Sequence, residues 1–256
     1  MQHNTVSLPV RHLRQCTRYS SGTGAACADP PPLSTLDPAC DPDNPRVLTF
    51  DRIAAAARKL KGGILRTDCR RSFHLSNMTG MNVYLKMELN QLTGSFKERG
   101  GRFAMMNMSA EEKKHGVIAA SAGNHALALC YHGRELGIPV TVVMPRHAPI
   151  MKIDKCASFG AEIIVEGKDL ATAREKALNL SVERNAKYIN GYDNIDVLAG
   201  AGTIGLEIID AMDKLDAIVV PIGGGGLCAG IAVALKTLAP NIEVIGVESQ
   251  AAPTMH

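Results

Sequence analysis

From residue 47 onward the chain alternates short apolar runs with longer segments of helical period. FDRIAAAARKL repeats its apolar positions every three to four residues and predicts a helix. VYLKME predicts a strand, and the apolar run after Ser95 predicts a second helix. VIAA, VTVVM, EIIV, AIVVP and EVIGV are short runs of small and β-branched residues, the signature of buried strands. Between them HALALCYHGREL, IMKIDKCASFG, residues 170–184, TIGLEIIDAM and LCAGIAVALKTL predict helices, and Gly160 closes the second of these. Short strands alternating with helices predict right-handed βαβ units and a parallel sheet covered on both faces. The expected fold class is α/β, and ligands are expected at the carboxyl ends of strands, in loops that open helices.

Composition narrows the class. Residues 217–235 carry no charge and match a membrane span in length, but Pro221 and Gly223, Gly224, Gly225 and Gly226 break the run. A buried strand, a loop and a buried helix in series fit it better. The 256 residues allow one or two domains, with hydrophobic content of 46% and charged content of 21% in the range of soluble globular chains. A formal charge of +3, aromatic content of 4% and no tryptophan argue against nucleic acid as a partner. The seven cysteines are scattered, with no C-x-x-C pair and no metal-ligand spacing, which predicts a reducing compartment and no metal site. Cys130, Cys156 and Cys228 are expected as small core residues. Residues 1–45 differ from the rest. Arg11, Arg14 and Arg18 stand among serines and threonines with no acid before Asp29, and prolines follow. This segment reads as a disordered or targeting extension, with a cytoplasmic location expected and a mitochondrial address as the alternative.

Four places carry candidate chemistry. In LTGSFKERGG, Ser95 and Glu98 have capping-box spacing, which predicts a helix starting at Ser95 with Lys97 in its first turn. The positive end of a helix disfavours a cation by roughly 0.3–1 kcal/mol, so Lys97 is either a solvated surface ion or an amine suited to losing its proton. In VVPIGGGGLCAG, four consecutive glycines follow a strand and open a helix, an arrangement of free amides that suits a phosphate. No Lys-Ser/Thr follows, so it is not a Walker loop. In ASAGNHALAL, Ser121, Asn124 and His125 at a helix start suit a carboxylate, or simply cap the helix. Gly200-Ala201-Gly202-Thr203-Ile204-Gly205 matches G-x-G-x-x-G, but no buried strand precedes it and no acid stands about 20 residues on, which argues against a nicotinamide cofactor. A lysine ready to deprotonate, a phosphate cradle and a carboxylate loop are together satisfied by pyridoxal 5'-phosphate acting on an amino acid.

GSFKERG, SAGNH, AGAGTIGLE and VVPIGGGGLCAGIA, in this order from about Phe50 to Val247, resemble the L-threonine/L-serine dehydratases (threonine ammonia-lyases). That family is part of the tryptophan-synthase-β-like group of pyridoxal-phosphate enzymes. The resemblance implies a three-layer αβα fold with a large cofactor domain, residues 46–115 and 194–256, and an inserted smaller mobile domain, residues 116–193. It implies that Lys97 carries the cofactor and moves the α-proton, that Phe96 lies beside the ring, and that Asn124 bonds the ring hydroxyl. Ser121, Gly123, Asn124 and His125 would hold the substrate carboxylate, and Gly223 to Gly226 the phosphate. The implied reaction is β-elimination of L-threonine or L-serine to 2-oxobutanoate or pyruvate and ammonia, in a homodimer or higher homo-oligomer. Related serine racemases have a serine where this chain has Ala122, so elimination is expected over racemisation. Glu248 matches a metal ligand of some relatives, but Thr254 stands where a second, acidic ligand is expected, so no metal is carried over. Family members continue past EVIGVES with a segment that faces the ring nitrogen. The large domain is therefore expected to be incomplete, with a non-catalytic cofactor-binding subunit or a racemase-like activity as the alternatives.

Overall fold

The computed structural model describes residues 46–251 and 253–255. The expectations for residues 1–45 lie outside the described residues. In chain order the elements are α1 (Phe50–Leu60), β1 (Cys69–Arg71), α2 (Phe73–Thr79), β2 (Tyr84–Lys86), α3 (Lys97–Met106), α4 (Ala110–His115), β3 (Val117–Ala120) and α5 (Asn124–Leu136). There follow β4 (Val140–Met144), α6 (Ile150–Ser158), β5 (Glu162–Val165), α7 (Leu170–Glu183), β6 (Lys187–Tyr188), α8 (Ile195–Ala211), β7 (Ala217–Pro221), α9 (Gly226–Leu238) and β8 (Glu243–Val247). The fold is α/β. Among the described residues no helix is long and apolar enough to cross a membrane.

One sheet has four parallel strands in the order β5-β4-β3-β6. Side chains alternate across it, as strand geometry requires. Val117, Ala119, Val140, Val142 and Met144 join a core with Leu127, Leu129 and Cys130 of α5 and Cys156 of α6. Ile118 and Val143 point the other way, onto Ala173, Ala177 and Leu178 of α7. This sheet is the covered three-layer arrangement that the apolar runs predicted. The chain leaves β3 toward β4 and β5, then returns to place β6 on the other side of β3. The loops after β3 and β6 therefore diverge at a topological switch point, where an open sheet forms a crevice.

The remaining strands depart from expectation. β7 and β8 form a parallel pair whose Ile218, Val220 and Val244 pack on α8 and α9. Val219, Ile245 and Val247 on the other face are exposed, so this pair is covered on one side only among the described residues. The expected strand VYLKME pairs antiparallel with β1, because the short α2 connection returns the chain without a crossover.

The expected helix TIGLEIIDAM begins eight residues earlier than its motif, at Ile195, where the Asn194 side chain accepts from the amides of Asp196 (3.0 Å) and Val197 (3.3 Å). The G-x-G-x-x-G run lies inside this helix, and its glycines serve packing. A Cβ at Gly200 would stand 2.5 Å from the Arg99 carbonyl oxygen of α3, and one at Gly202 2.8 Å from the Gly230 carbonyl oxygen of α9. Beneath this crossing Arg99, 1% exposed, binds Glu88 and Glu207 through both carboxylates, at 2.6–2.8 Å. Burial opposes its charge, but these bonds hold the guanidinium cationic and tie α3 to α8.

Candidate active site

The candidate residues gather at the switch point between β3 and β6. Lys97 is the first residue of α3, with Phe96 as N-cap. The expected capping box does not form. Ser95 Oγ accepts from the Lys97 amide at 3.4 Å, while the buried Glu98 carboxylate turns to the Thr93 amide and to His132 of α5, whose Nε2–H donates to it at 3.2 Å. Tertiary partners outbid the local one because Glu98 is fully buried against α5. The same box does form at Ser109 and Glu112 on α4, where one Glu112 oxygen accepts from the Ser109 amide and leaves the other to Lys187 at 2.8 Å.

Lys97 Nζ donates to the Gly191 carbonyl and stands 5.2 Å from the centre of the Phe96 ring. Burial lowers its pKa from 10.5 to about 8. Loss of solvent, more than the helix end, is therefore what makes this amine easy to deprotonate. Lys97 is half-buried, while His125, the second residue of α5, is buried. Burial and then the nearby Lys97 charge lower its pKa to about 4, against the opposing effect of its bond to the Ile189 carbonyl. That bond, Nε2–H to Ile189 oxygen at 2.9 Å, fixes a neutral imidazole with the proton on Nε2. Its Nδ1 is buried with no partner among the described residues.

The segment after β6 organises both groups, and the strand patterns did not reveal it. The carbonyls of Ile189 and Gly191, two residues apart, accept from His125 and Lys97. The Asn190 side chain accepts from the amides of Tyr192 (2.9 Å) and Asp193 (3.1 Å) and turns the chain away. Tyr192 then packs against the glycine turn. A Cβ at Gly224 would run into its ring, and one at Gly226 would stand 2.5 Å from its carbonyl oxygen. β6 has only two residues, too few for a periodicity. The Asn190-Gly191 pair was the one local signal available.

The four glycines thus have separate reasons. Gly224 and Gly226 are required by Tyr192. Gly225 has a φ of +81°, which disfavours a side chain. Gly223 faces open space, since a Cβ there meets nothing within 4 Å. Among the described residues the amides of residues 223–228 have no protein acceptor, so the turn offers consecutive donors at the start of α9. Thr254 Oγ1 donates to the Gly223 carbonyl at 2.5 Å, and the Glu248 carboxylate accepts from the amides of Thr254 and Met255, at 2.8 and 3.0 Å.

The loop after β3 holds the remaining expected residues. The Ser121 amide donates to the Val143 carbonyl at 3.2 Å, and Ser121 Oγ accepts from the Gly123 amide at 3.3 Å. Gly123 is the N-cap of α5, and a Cβ there meets nothing within 4 Å. Asn124 is exposed and accepts from Lys152 of α6 at 3.2 Å. Ser121, Gly123, Asn124 and His125 thus belong to one loop and helix start, joined to Lys97 through the Ile189–Gly191 backbone. Cys130 and Cys156 are buried as expected, while Cys228 is half-buried.

A model of the family described as "Pyridoxal-phosphate dependent enzyme" matches residues 60–256. The chain belongs to this family. Family members that it resembles include the L-threonine ammonia-lyase of Thermotoga maritima, 44% identical over 209 residues, 82% of this chain and 52% of that one. The L-threonine dehydratase catabolic TdcB of Staphylococcus aureus is 43% identical over 205 residues, 80% of this chain and 59% of that one. Among solved structures, threonine deaminase isoform 2 of Solanum lycopersicum superposes with a TM-score of 0.75 at 37% identity, covering 78% of this chain and 59% of that one. Serine racemase of Dictyostelium discoideum superposes with a TM-score of 0.76 at 33% identity, covering 80% and 66%. The chain spans about half the length of the curated relatives it matches, 52% and 59%.

Proposed function

We propose that this chain is a pyridoxal-phosphate-dependent ammonia-lyase that eliminates water from L-threonine or L-serine, giving a 2-oxo acid and ammonia. The observation that carries the proposal is the half-buried amine of Lys97, with a pKa lowered to about 8, held beside a neutral His125 and bridged through Gly191 and Tyr192 to the glycine turn. The residues present fit the cofactor. An amine reachable in its neutral form suits an aldehyde, and the open amides from Gly223 onward suit a phosphate.

On this reading Lys97 holds the cofactor, Phe96 flanks its ring and Asn124 bonds its ring oxygen. Gly223, Gly224, Gly225 and Gly226 present amides to its phosphate. Ser121, Gly123, Asn124 and His125 receive the substrate carboxylate, where the neutral His125 adds no competing charge. When bound, the cofactor supplies an electron sink that acidifies the α-proton of the amino acid. Lys97 Nζ takes that proton. At pH 7.5 about a quarter of an amine of pKa 8 is already neutral, against about a thousandth for an ordinary lysine. Burial around Lys97 keeps bulk water from competing for the proton. Ala122 has no proton to give, which favours elimination over a racemase-like outcome.

The proposal includes a smaller unit over residues 116–193, supported by the four-stranded sheet whose strands all lie between Val117 and Tyr188, and a larger unit from residues 46–115 and 194–256. It also includes a homodimer or higher homo-oligomer and a cytoplasmic location, with the Arg-rich start of the chain supporting the mitochondrial alternative. The test is direct. The purified chain with pyridoxal 5'-phosphate is reduced with borohydride and digested, and a cofactor adduct is expected on Lys97. Release of 2-oxo acid from threonine or serine is expected from the same preparation. An adduct on other lysines only overturns the site. An adduct on Lys97 with no 2-oxo acid leaves a cofactor-binding chain without turnover.

A further inference from the structure

We propose that Lys152 is a positioning residue that fixes which end of the Asn124 carboxamide faces the cleft. This assignment rests on the cofactor reading above, and it concerns a side chain to which that reading gives no role. A carboxamide has an accepting oxygen end and a donating NH2 end, and unaided the two exchange by a simple flip. Lys152, in the first turn of α6, donates its ammonium to Asn124 Oδ1 at 3.2 Å. An ammonium can only donate, so it selects the oxygen end and leaves the NH2 to turn toward the cleft.

The contact spans two neighbouring helix starts. α5 follows β3, α6 follows β4, and β3 and β4 are adjacent parallel strands. Asn124 is exposed at the mouth of the loop, and beside it the Gly123 position opens onto free space. Lys152 supplies the one side-chain bond of the Asn124 carboxamide among the described residues. The charged group in contact with it is Lys152 of α6. His125 on α5 is neutral. An NH2 donor with a cation behind it favours an acceptor that bears negative charge, such as the ring oxygen of the cofactor in its ionised form. That ionised form absorbs at longer wavelength than the neutral form, so the orientation of Asn124 has a spectroscopic signature apart from turnover.

The experiment uses the full chain loaded with pyridoxal 5'-phosphate, as wild type, Lys152→Met, Lys152→Arg, Asn124→Ala and the Asn124→Ala/Lys152→Met double variant. The ratio of long-wavelength to near-ultraviolet cofactor absorbance and the cofactor Kd are measured. Lys152→Met keeps the apolar stem and is expected to lower the ratio and raise Kd by about twofold each, since releasing a two-way flip leaves half of the carboxamides in the competent orientation. Lys152→Arg still donates and is expected to keep the wild-type spectrum. Asn124→Ala is expected to lose more than Lys152→Met, and the double variant to lose no more than Asn124→Ala alone, because Lys152 acts through Asn124. A Lys152→Met spectrum equal to wild type, or additive losses in the double variant, overturns the role of Lys152 while leaving the cofactor reading in place. A wild-type chain that takes up no cofactor overturns that reading instead, and this one with it.

Discussion

Replacing Lys97 by Met tests the electrostatic basis of the site without any substrate. In cofactor-free protein, burial lowers the Lys97 pKa from 10.5 to about 8. The unfolded chain then binds more protons than the folded one between these values, so stability from this group rises with pH through that window. Below pH 8 folding carries the whole cost of forcing a cation into the cleft, about 3 kcal/mol for a shift of this size. The cost falls to about 2 kcal/mol at pH 9 and below about 1 kcal/mol at pH 10. Methionine has a similar length and no charge, so the stability of Lys97→Met relative to wild type is expected to fall by about 2.5 kcal/mol between pH 6.5 and pH 10, on top of a pH-independent loss of the bond to Gly191. Urea denaturation of both proteins at pH 6.5, 8, 9 and 10 measures it, because the other titrating groups cancel in the difference. Competitive acetylation of Lys97 against pH supplies an independent midpoint near 8. A gap that is flat across this range, or an acetylation midpoint near 10.5, would refute a burial-depressed amine.

Gly191→Ala places a Cβ 2.7 Å from His125 Cγ and 2.9 Å from Cδ2, so it is expected to cost about 1–3 kcal/mol in urea denaturation and to displace Lys97 from its carbonyl. Gly123→Ala, where a Cβ meets nothing within 4 Å, is the matched control and is expected to change stability by less than about 1 kcal/mol; equal losses at the two sites would count against the packing argument. Ala122→Ser adds a hydroxyl that can carry a proton in the loop after β3, and it is expected to raise D-serine formation relative to pyruvate. An unchanged product ratio, followed by chiral chromatography, would contradict the account of that loop.

Local patterns determined the elements of this protein and the places where its chemistry gathers. The strands VIAA, VTVVM and EIIV, the helices between them, the lysine at a helix start and the glycines between strand and helix all follow from which face of each element is apolar and where amides lack partners. What local spacing could not determine is which elements meet. Ser95 and Glu98 have capping-box spacing, yet Glu98 turns to His132, 34 positions away, because α5 buries it. The glycines from Gly200 to Gly205 copy a nucleotide motif, yet they let α3, α8 and α9 cross closely. The return of the chain to place β6 beside β3 brings Gly191 to Lys97 and Tyr192 to the glycine turn. The Lys97 pKa is lowered because that assembly removes water from around the amine. Solvation is a property of the whole packed structure, and no run of neighbouring residues encodes it.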